Sequence, residues 1–190
     1  MARAKKEAPR AKKSDAARVI LSVGDDVSTD VIYPGRYMAT VLPSETPAYA
    51  FADHPGFQAA VKAKSIPPGA VVAAGDNFGC GSSREQAASC LKGHGVVVVA
   101  RSFARIFLQN AINLGLNVVT APGFAAEEGD EIELDGRVVR NNTKRRDYDV
   151  TPLPSARQAI IEAGGLIPYT RARLVAGKGR GAREGVSTRG

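Results

Sequence analysis

The sequence has too few metal-binding side chains to hold a metal centre by itself. Its 190 residues include two cysteines, Cys80 and Cys90, and two histidines, His54 and His94. Two thiols do not make a disulfide framework, and these four residues lack a zinc-ligand pattern. An iron–sulfur cluster usually needs three or four thiolates, so any such cluster would have to come from a partner chain. We therefore predict no metal ligand in this chain.

Long apolar runs are also missing. No stretch approaches the roughly 20 residues of a membrane-spanning helix, and the N-terminal residues lack the apolar core of a secretory signal. The default expectation is a cytoplasmic protein that does not enter a membrane. The length of 190 residues and the hydrophobic content of 44% allow one domain with a real core. The sequence contains no internal repeat and no sign of a second domain.

Positive charge is concentrated at the two ends of the chain. Residues 1–18 contain seven Lys/Arg and two acidic residues, and residues 170–190 contain six and one, so each end carries +5 of a net +7. The body is therefore −3, which argues against a basic groove for nucleic acid. We predict disordered basic tails at residues 1–17 and 172–190 around one domain at residues 18–171. Such tails are usually solvating segments, and weak binding of polyanions is the alternative.

The rest of the fold is organised around residues 71–120. Three short aliphatic runs, at residues 71–74, 96–100 and 116–120, alternate with two segments of helical spacing. This alternation predicts a β-α-β-α-β arrangement. The aliphatic runs lack a strict alternation of polar and apolar residues, so we predict a parallel sheet that is covered on both faces.

Two helices are expected between these strands. Ser82 and Glu85 have capping-box spacing at the start of the first helix, and Gly93 supplies its stop. Ser102 should cap the second helix, and Gly115 should end it. One face of the second helix should pack on the sheet; its members are Phe103, Ile106, Phe107, Ala111 and Leu114.

Weaker patterns flank this centre. Residues 18–23 predict a first strand, residues 24–30 a polar turn, and residues 31–33 a short extended piece that Pro34 stops. Residues 35–65 are broken by prolines and predict a mobile loop that could act as a lid, followed by one short helix near Phe57.

The C-terminal third predicts a hairpin, a strand and a helix. Asp135-Gly136 between alternating runs is a strong signal for a two-residue hairpin turn. Residues 147–153 predict another strand, and residues 155–163 predict a closing helix that Gly164 and Gly165 end.

The glycine-rich turn at residues 79–85 is the candidate ligand site. Such a turn between a parallel strand and a helix exposes backbone N–H groups and the positive end of the helix dipole. Arg84 adds a fork of donors that suits a carboxylate or a phosphate. The turn lacks the third glycine of a dinucleotide fingerprint and the Gly-Lys-Ser/Thr of a triphosphate loop. Ser82 is either an ordinary N-cap or a functional hydroxyl, and the local sequence leaves both open.

Four segments, taken together and in order, resemble the small, swivelling subunits of the aconitase superfamily. They are GDDVSTDVIYP at residues 24–34, NFGCGSSREQA at residues 77–87, SFARIF at residues 102–107, and GGLIPY at residues 164–169. The likeness covers residues 18–171 and is greatest to the family of 3-isopropylmalate dehydratase small subunits.

The resemblance implies an α/β protein with a single swivelling β/β/α domain, as in the aconitase C-terminal domain. Such domains close over a large subunit that carries an iron–sulfur cluster, whose iron would act as a Lewis acid on the leaving hydroxyl. Family members remove water from a 2-hydroxy diacid and add it back in the other orientation. The implied partners are that large subunit and a small diacid, and the implied activity is a hydro-lyase of leucine biosynthesis.

The resemblance also implies roles for individual residues. Ser82 matches the catalytic serine, which takes the proton from the carbon next to a carboxylate. Ser83 and Arg84 match residues that hold the substrate carboxylate. Asp30 matches an active-site aspartate, although a turn-capping residue is the other interpretation. A helix N-terminus and Arg84 would stabilise the anionic form of the serine.

In related subunits, one further segment helps to select the variable arm of the substrate. Here it consists of Tyr37, Met38, Ala39 and Thr40. Relatives that act on substrates with a third carboxylate tend to have an arginine where Ala39 stands. A small apolar residue favours an aliphatic arm, because burying an unpaired carboxylate is costly. Arg36 lies close enough to leave this open.

Several alternatives stay open at this point. The chain could serve a related enzyme, such as a dimethylmaleate hydratase or a dehydratase of the citraconate or homoaconitate type. It could be a nucleic-acid-binding protein that acts through its basic tails. It could also be a small-molecule-binding domain that has kept the fold and lost the chemistry.

Overall fold

The computed structural model describes residues 16–184, and it describes side chains for residues 16–176. The strands are β1 (Ala17–Ser22), β2 (Val71–Ala74), β3 (Val97–Ala100), β4 (Asn117–Thr120), β5 (Glu131–Leu134), β6 (Val138–Asn141) and β7 (Arg146–Asp149). The helices are α1 (Thr29–Ile32), α2 (Pro55–Lys62), α3 (Glu85–Gly93), α4 (Arg105–Leu114), α5 (Ser155–Glu162) and α6 (Leu166–Glu184). Two 3₁₀ turns lie at Gly35–Tyr37 and Thr46–Tyr49.

The seven strands form one mixed sheet in the order β4-β3-β2-β1-β5-β6-β7. Strands β1 to β4 are parallel, and β5 to β7 join them as antiparallel neighbours. An antiparallel bridge between Thr120 and Thr151 connects β4 to the chain that follows β7. The sheet therefore curls until its two ends meet. The predicted α/β class and the parallel order of the central strands are confirmed.

Apolar side chains cover both faces of the central strands. On one face the strands pack against α3 and α4, in a cluster that includes Leu21, Val72, Leu91, Val98, Phe107 and Ile112. On the other face they pack against the curled antiparallel part, in a cluster that includes Val19, Val71, Val99, Phe124, Ile132 and Val139. Successive residues of one strand point to opposite faces, so a strand buried on both sides needs a continuous aliphatic run.

The first central helix begins later than the capping-box pattern predicted. Helix α3 starts at Glu85 with Arg84 at the N-cap position, and neither Arg84 nor Ser82 caps it with a side chain. The Ser82 hydroxyl lies instead 3.2 Å from that of Thr29, on another loop. The predicted stop is confirmed, because α3 ends at Gly93.

The predicted cap of the second central helix is also wrong. Helix α4 begins at Arg105 with Ala104 at the N-cap position. The Ser102 hydroxyl donates to Asp76 Oδ1 at 2.9 Å instead of bonding to the helix. Gly115 ends α4 in the left-handed conformation, as predicted.

The predicted apolar face of α4 is largely confirmed. Phe107 and Ala111 are buried, and Phe103 and Leu114 pack against the same core while partly exposed. Ile106 is the exception, because 47% of it is exposed. The predicted apolar face therefore wrongly included Ile106, in the first turn of the helix.

The extended piece predicted at residues 31–33 is helical at its first two residues, and only Tyr33, the C-cap of α1, is extended. Ser28 caps α1 by accepting a hydrogen bond from the Val31 amide at 3.3 Å. The strand predicted at residues 147–153 ends early, at Asp149, because the Thr151 amide turns to donate to the Thr120 carbonyl at 2.8 Å.

Other outer predictions agree with the structure. The strand at residues 18–23 corresponds to β1, and the helix at residues 155–163 corresponds to α5. The hairpin is formed by β5 and β6, and its loop has three residues instead of two, since Asp135 Oδ1 accepts from the amides of Arg137 and Val138.

The segment at residues 35–65 is more regular than the predicted loop. It holds the two 3₁₀ turns and α2, which contains the predicted short helix. The ring of Tyr37 stacks on that of Tyr49 at 4.3 Å between centroids. Its action as a lid stays a prediction.

The predicted limits of the domain also stay predictions. Strand β1 begins at Ala17, and the rest of the first predicted tail lies almost wholly outside the described residues. The second predicted tail begins at residue 172 inside α6, which continues to Glu184, and its last residues are not described. In the part of the chain that the structure describes, no helix is both long and apolar enough to cross a membrane.

Asp130 is a buried carboxylate that ties the start of β5 to β6. Its Oδ2 accepts hydrogen bonds from the Glu127 amide at 2.9 Å and from Asn141 Nδ2 at 2.7 Å, and it lies 3.8 Å from Lys144 Nζ. Burial raises the pKa of Asp130, but these bonds outweigh burial, so its pKa is lowered overall. The ionised carboxylate therefore stabilises this part of the fold.

Asp130→Ala should lower the free energy of unfolding by about 2–3 kcal/mol, because it leaves the buried Asn141 amide unpaired. The lowered pKa means that this contribution is present above the ordinary carboxyl value of 3.8 and is lost as the pH falls further. Urea unfolding at pH 7 and below pH 3.8 measures both effects. Asp149→Ala, at an exposed position, is the control and should change stability by less than about 0.5 kcal/mol. Equal losses in the two variants would contradict the assignment.

Candidate active site

The turn between β2 and α3 lies at the carboxyl end of the parallel strands. Gly79 and Gly81 adopt φ values of 82° and 90°, in the left-handed region that favours glycine. A Cβ on Gly79 would lie 2.2 Å from the ring of Phe107 on α4. The turn therefore packs tightly against α4, and residues 82–84 emerge at its open side.

A second loop, residues 24–30, runs beside this turn. The Gly79 amide donates to the Val27 carbonyl at 2.7 Å, and the Thr29 amide donates to the Cys80 carbonyl at 2.8 Å. The two loops follow β1 and β2, which are parallel neighbours and end at the same edge of the sheet. Backbone bonds thus place the ends of both loops together.

The pairing of the two loops brings two hydroxyl groups into contact. Thr29 Oγ1 lies 3.2 Å from Ser82 Oγ, and it also donates to the Ser82 carbonyl at 3.3 Å. Thr29 is buried, whereas Ser82 is exposed and open to a ligand. Sequence analysis missed Thr29. Its only signal was the position next to Asp30 in the Thr-Asp motif.

The pairing of the two loops also forms an ion pair between them. Arg84 Nη1 donates to Asp30 Oδ1, and the arginine side chain is 19% exposed while that of the aspartate is 58% exposed. Gly35 lies against the same guanidinium, because a Cβ there would be 3.5 Å from Arg84 Nη2. Ser83 is exposed, and its carbonyl accepts a hydrogen bond from Asn110 at 3.3 Å. The structure thus brings Ser82, Arg84 and Asp30 together.

The segment predicted to select the substrate adjoins this cluster through Gly35. The Tyr33 hydroxyl donates to the carbonyls of Tyr37 at 3.1 Å and of Thr40 at 3.3 Å, which fixes both ends of the segment. Between them, Met38 and Ala39 are exposed at the surface. The structure places these residues beside the cluster on a separate turn.

Arg36 is engaged with a carboxylate of its own. Its Nη1 donates to Asp53 Oδ2 at 3.0 Å, and its guanidinium lies 4.8 Å from the centre of the Tyr37 ring. The hydrogen bond with Asp53 raises the pKa of Arg36, and Arg36 in turn lowers the pKa of Asp53. Arg36 is therefore paired with Asp53, and whether the segment selects the substrate stays a prediction.

The described residues do not suit a metal centre or an iron–sulfur cluster. Among them, no group of three or more His, Cys, Asp or Glu side chains comes together. Cys90 lies in the core, and burial raises the pKa of its thiol. Cys80 is partly exposed, and its thiol donates to the Asp26 carbonyl at 3.3 Å. The two thiols therefore lie in different surroundings, one in the core and one partly exposed.

Comparison with known proteins identifies the family. The model of the Aconitase C-terminal domain matches residues 42–122. The 3-isopropylmalate dehydratase small subunit of Methanosarcina mazei is 46% identical over 153 residues, covering 78% of this chain and 91% of that protein. That of Aquifex aeolicus is 45% identical over 158 residues, covering 80% and 91%. The chain belongs to the 3-isopropylmalate dehydratase small-subunit family.

A solved structure in this family has the same fold. The crystal structure of 3-isopropylmalate dehydratase from Methanocaldococcus jannaschii superposes with a TM-score of 0.76 at 37% sequence identity. The match covers 87% of this chain and 98% of that one. The resemblance drawn from the sequence is therefore confirmed at the level of family and fold.

Gly79→Ala should destabilise the fold by about 2–5 kcal/mol, because the new methyl group meets the Phe107 ring and the left-handed φ adds a backbone cost. Gly123→Ala is the matched control. Gly123 has a similar φ of 77° but nothing within 4 Å of an added Cβ, so this variant should lose only about 1–2 kcal/mol. Urea unfolding of both variants measures the difference. Equal losses would show that the turn does not pack closely on α4.

Proposed function

We propose that this chain is the small subunit of a heteromeric hydro-lyase that interconverts 3-isopropylmalate and 2-isopropylmalate in leucine biosynthesis. The observation that carries the proposal is the exposed Ser82 hydroxyl beside the Arg84–Asp30 pair, in a chain 46% identical to a subunit of that name. We also propose a large-subunit partner that holds an iron–sulfur cluster, and a cytoplasmic complex. The thiols of this chain do not suit a cluster, which supports its assignment to the partner.

Ser82 is the group that we assign to proton transfer. Its Oγ, as the alkoxide, takes the proton from the carbon next to a carboxylate. A hydroxide leaves from the neighbouring carbon, for which the partner's iron would supply a Lewis acid, and a double bond forms between the two carbons. Hydroxide then adds to the carbon that lost the proton, and Ser82 returns the proton to the carbon that lost the hydroxyl. A serine hydroxyl is a weak base unless its anion is stabilised. The Thr29 hydroxyl can turn from the Ser82 carbonyl to donate its one hydrogen bond to Ser82 Oγ, and Arg84 supplies nearby positive charge.

Arg84 and Ser83 are the groups that we assign to the substrate carboxylate. A guanidinium presents several N–H donors in one plane, so Arg84 can hold Asp30 with one nitrogen and a carboxylate with another. Asp30 then acts by fixing the direction of the guanidinium, which is a positioning role. Ser83, next to Arg84 and exposed, offers a further hydroxyl donor.

The selecting segment supports a substrate with an aliphatic arm. Its exposed centre is Ala39, and the nearby Arg36 is paired with Asp53. A third carboxylate would therefore lack a free arginine on this turn, and an unpaired carboxylate is costly to bury. This favours isopropylmalate, or a small methyl-substituted malate, over homoaconitate.

Ser82→Ala should lower turnover of isopropylmalate by at least about 100-fold, the usual contribution of a positioned acid–base group. The assay uses the complex co-expressed anaerobically with its large subunit, and co-purification reports assembly, which should be unchanged. Ser65→Ala is the control, because Ser65 follows α2 and its hydroxyl donates to the Ala60 carbonyl, outside the loops of the cluster. A Ser82→Ala complex that keeps most of its activity would refute the assigned role. Activity on dimethylmaleate or citraconate alone would overturn the substrate and leave the subunit assignment intact.

Ala39→Arg should move the preference of the complex toward a substrate with a third carboxylate. The ratio of kcat/KM for homoaconitate to that for isopropylmalate should rise at least about tenfold. Val41→Arg adds the same charge at an exposed position two residues further on and should leave the ratio near the wild-type value. An equal rise in both variants would indicate a general effect of charge and would contradict the role of Ala39.

A further inference from the structure

Arg101 stands at the base of the two loops that carry the candidate site. It directly follows β3, and its amide donates to the carbonyls of Ala74 at 3.3 Å and Gly75 at 3.1 Å, at the end of β2. Its side chain is 34% exposed and reaches both loops. Neither the resemblance nor the local sequence gave this arginine a role.

The guanidinium of Arg101 joins one carboxylate from each loop. Nη2 donates to Asp25 Oδ1 on the loop at residues 24–30, and Nε lies 3.1 Å from Asp76 Oδ2 on the turn between β2 and α3. The contact at Nε is an ion pair and not an aligned hydrogen bond, since that buried nitrogen has no hydrogen-bond partner among the described side chains. One cation therefore bridges the two loops through a carboxylate on each.

Further hydrogen bonds join the two loops between Arg101 and the candidate site. Asp25 Oδ1 also accepts from the Asp76 amide at 2.8 Å, and the Asp26 amide donates to the Asp76 carbonyl at 2.9 Å. A Cβ on Gly75 would lie 2.0 Å from Asp25 Oδ1 and 2.9 Å from Arg101 Nη2, so the loops meet as closely as glycine allows. The backbone bonds of Gly79 and Thr29 then lead to Ser82 and Asp30.

We propose that Arg101 is a positioning residue for the reaction, because its bridge between Asp25 and Asp76 holds the two site loops in register. This inference rests on the proposed function of Ser82. Ser82 and Arg84 share one loop, so they stay together when the bridge is removed. Thr29 and Asp30 come from the other loop, so their alignment with Ser82 and Arg84 rests on the backbone bonds between the loops and on the bridge that supports those bonds. The loss should therefore fall on kcat more than on KM.

The chain contains a matched control for this experiment. Arg140 also bridges carboxylates, since it contacts Glu133, Asp135 and Asp147 in the β5–β7 region. Its side chain is 36% exposed, close to the 34% of Arg101. Arg140→Met removes a comparable ion-pair bridge and leaves the site loops untouched.

The first measurement is amide hydrogen exchange on the full chain. In Arg101→Met the amides of Thr29 and Gly79, which bond across the two loops, should exchange at least about tenfold faster. The Val98 amide in β3 should keep its wild-type rate and so report that the core is intact. Arg140→Met should leave Thr29 and Gly79 unchanged. Unchanged exchange in Arg101→Met, or equal changes in both variants, would overturn the bridge.

The second measurement is turnover by the assembled complex. Arg101→Met should lower kcat at least about tenfold with a smaller change in KM, and Arg101→Lys, which keeps the charge, should recover part of the loss. Arg140→Met should retain wild-type turnover. Faster exchange with unchanged kcat would overturn the role in the reaction while leaving the proposed function standing. If the wild-type complex has no isopropylmalate activity, the proposed function fails, and the exchange result still decides whether Arg101 holds the loops.

Discussion

The site depends on hydrogen bonds between two loops at one edge of the sheet. Strands β1 and β2 are parallel neighbours, so the loops that follow them leave the sheet side by side. The bond from the Thr29 amide to the Cys80 carbonyl joins these loops close to their ends. Each contact of the site then takes one member from each loop, since Thr29 meets Ser82 and Asp30 meets Arg84. Neither loop could form the cluster alone.

The centre of the fold was predicted well because fully buried strands can be recognised locally, as continuous runs of aliphatic residues. Strands β2 and β3 are buried throughout and are continuously aliphatic, so they could be found without knowing their neighbours. Strand β4 is less buried, and its two valines marked it more weakly. The helix caps failed for the opposite reason. Ser82 and Ser102 have the spacing of caps, but their hydroxyl partners, Thr29 and Asp76, come from distant parts of the chain. Spacing along a helix carries no information about such partners.

The candidate site was only partly accessible from the sequence. Ser82 and Arg84 could be named from the glycine-rich turn and Asp30 from the resemblance, and the pairing of Arg84 with Asp30 became visible only in three dimensions. Thr29 could not be singled out by its chemistry, because the sequence does not show that its hydroxyl contacts the hydroxyl of Ser82. Arg36 could not be interpreted before its partner was known, because a sequence does not show whether an arginine side chain is paired with a carboxylate.

The exposure of Ser82 makes the electrostatic strength of the site depend on assembly. In the free chain, Ser82 and the Asp30 carboxylate are open to water, and two unit charges 4 Å apart interact by only about 1 kcal/mol in water. A partner surface that covers the loops would replace this water, and the same separation at an effective dielectric constant of 20 is worth about 4 kcal/mol. The identical charges would then act on Ser82 several times more strongly. Association with a partner would thus strengthen the electrostatic interactions at Ser82. The free subunit would be inactive although its fold is unchanged.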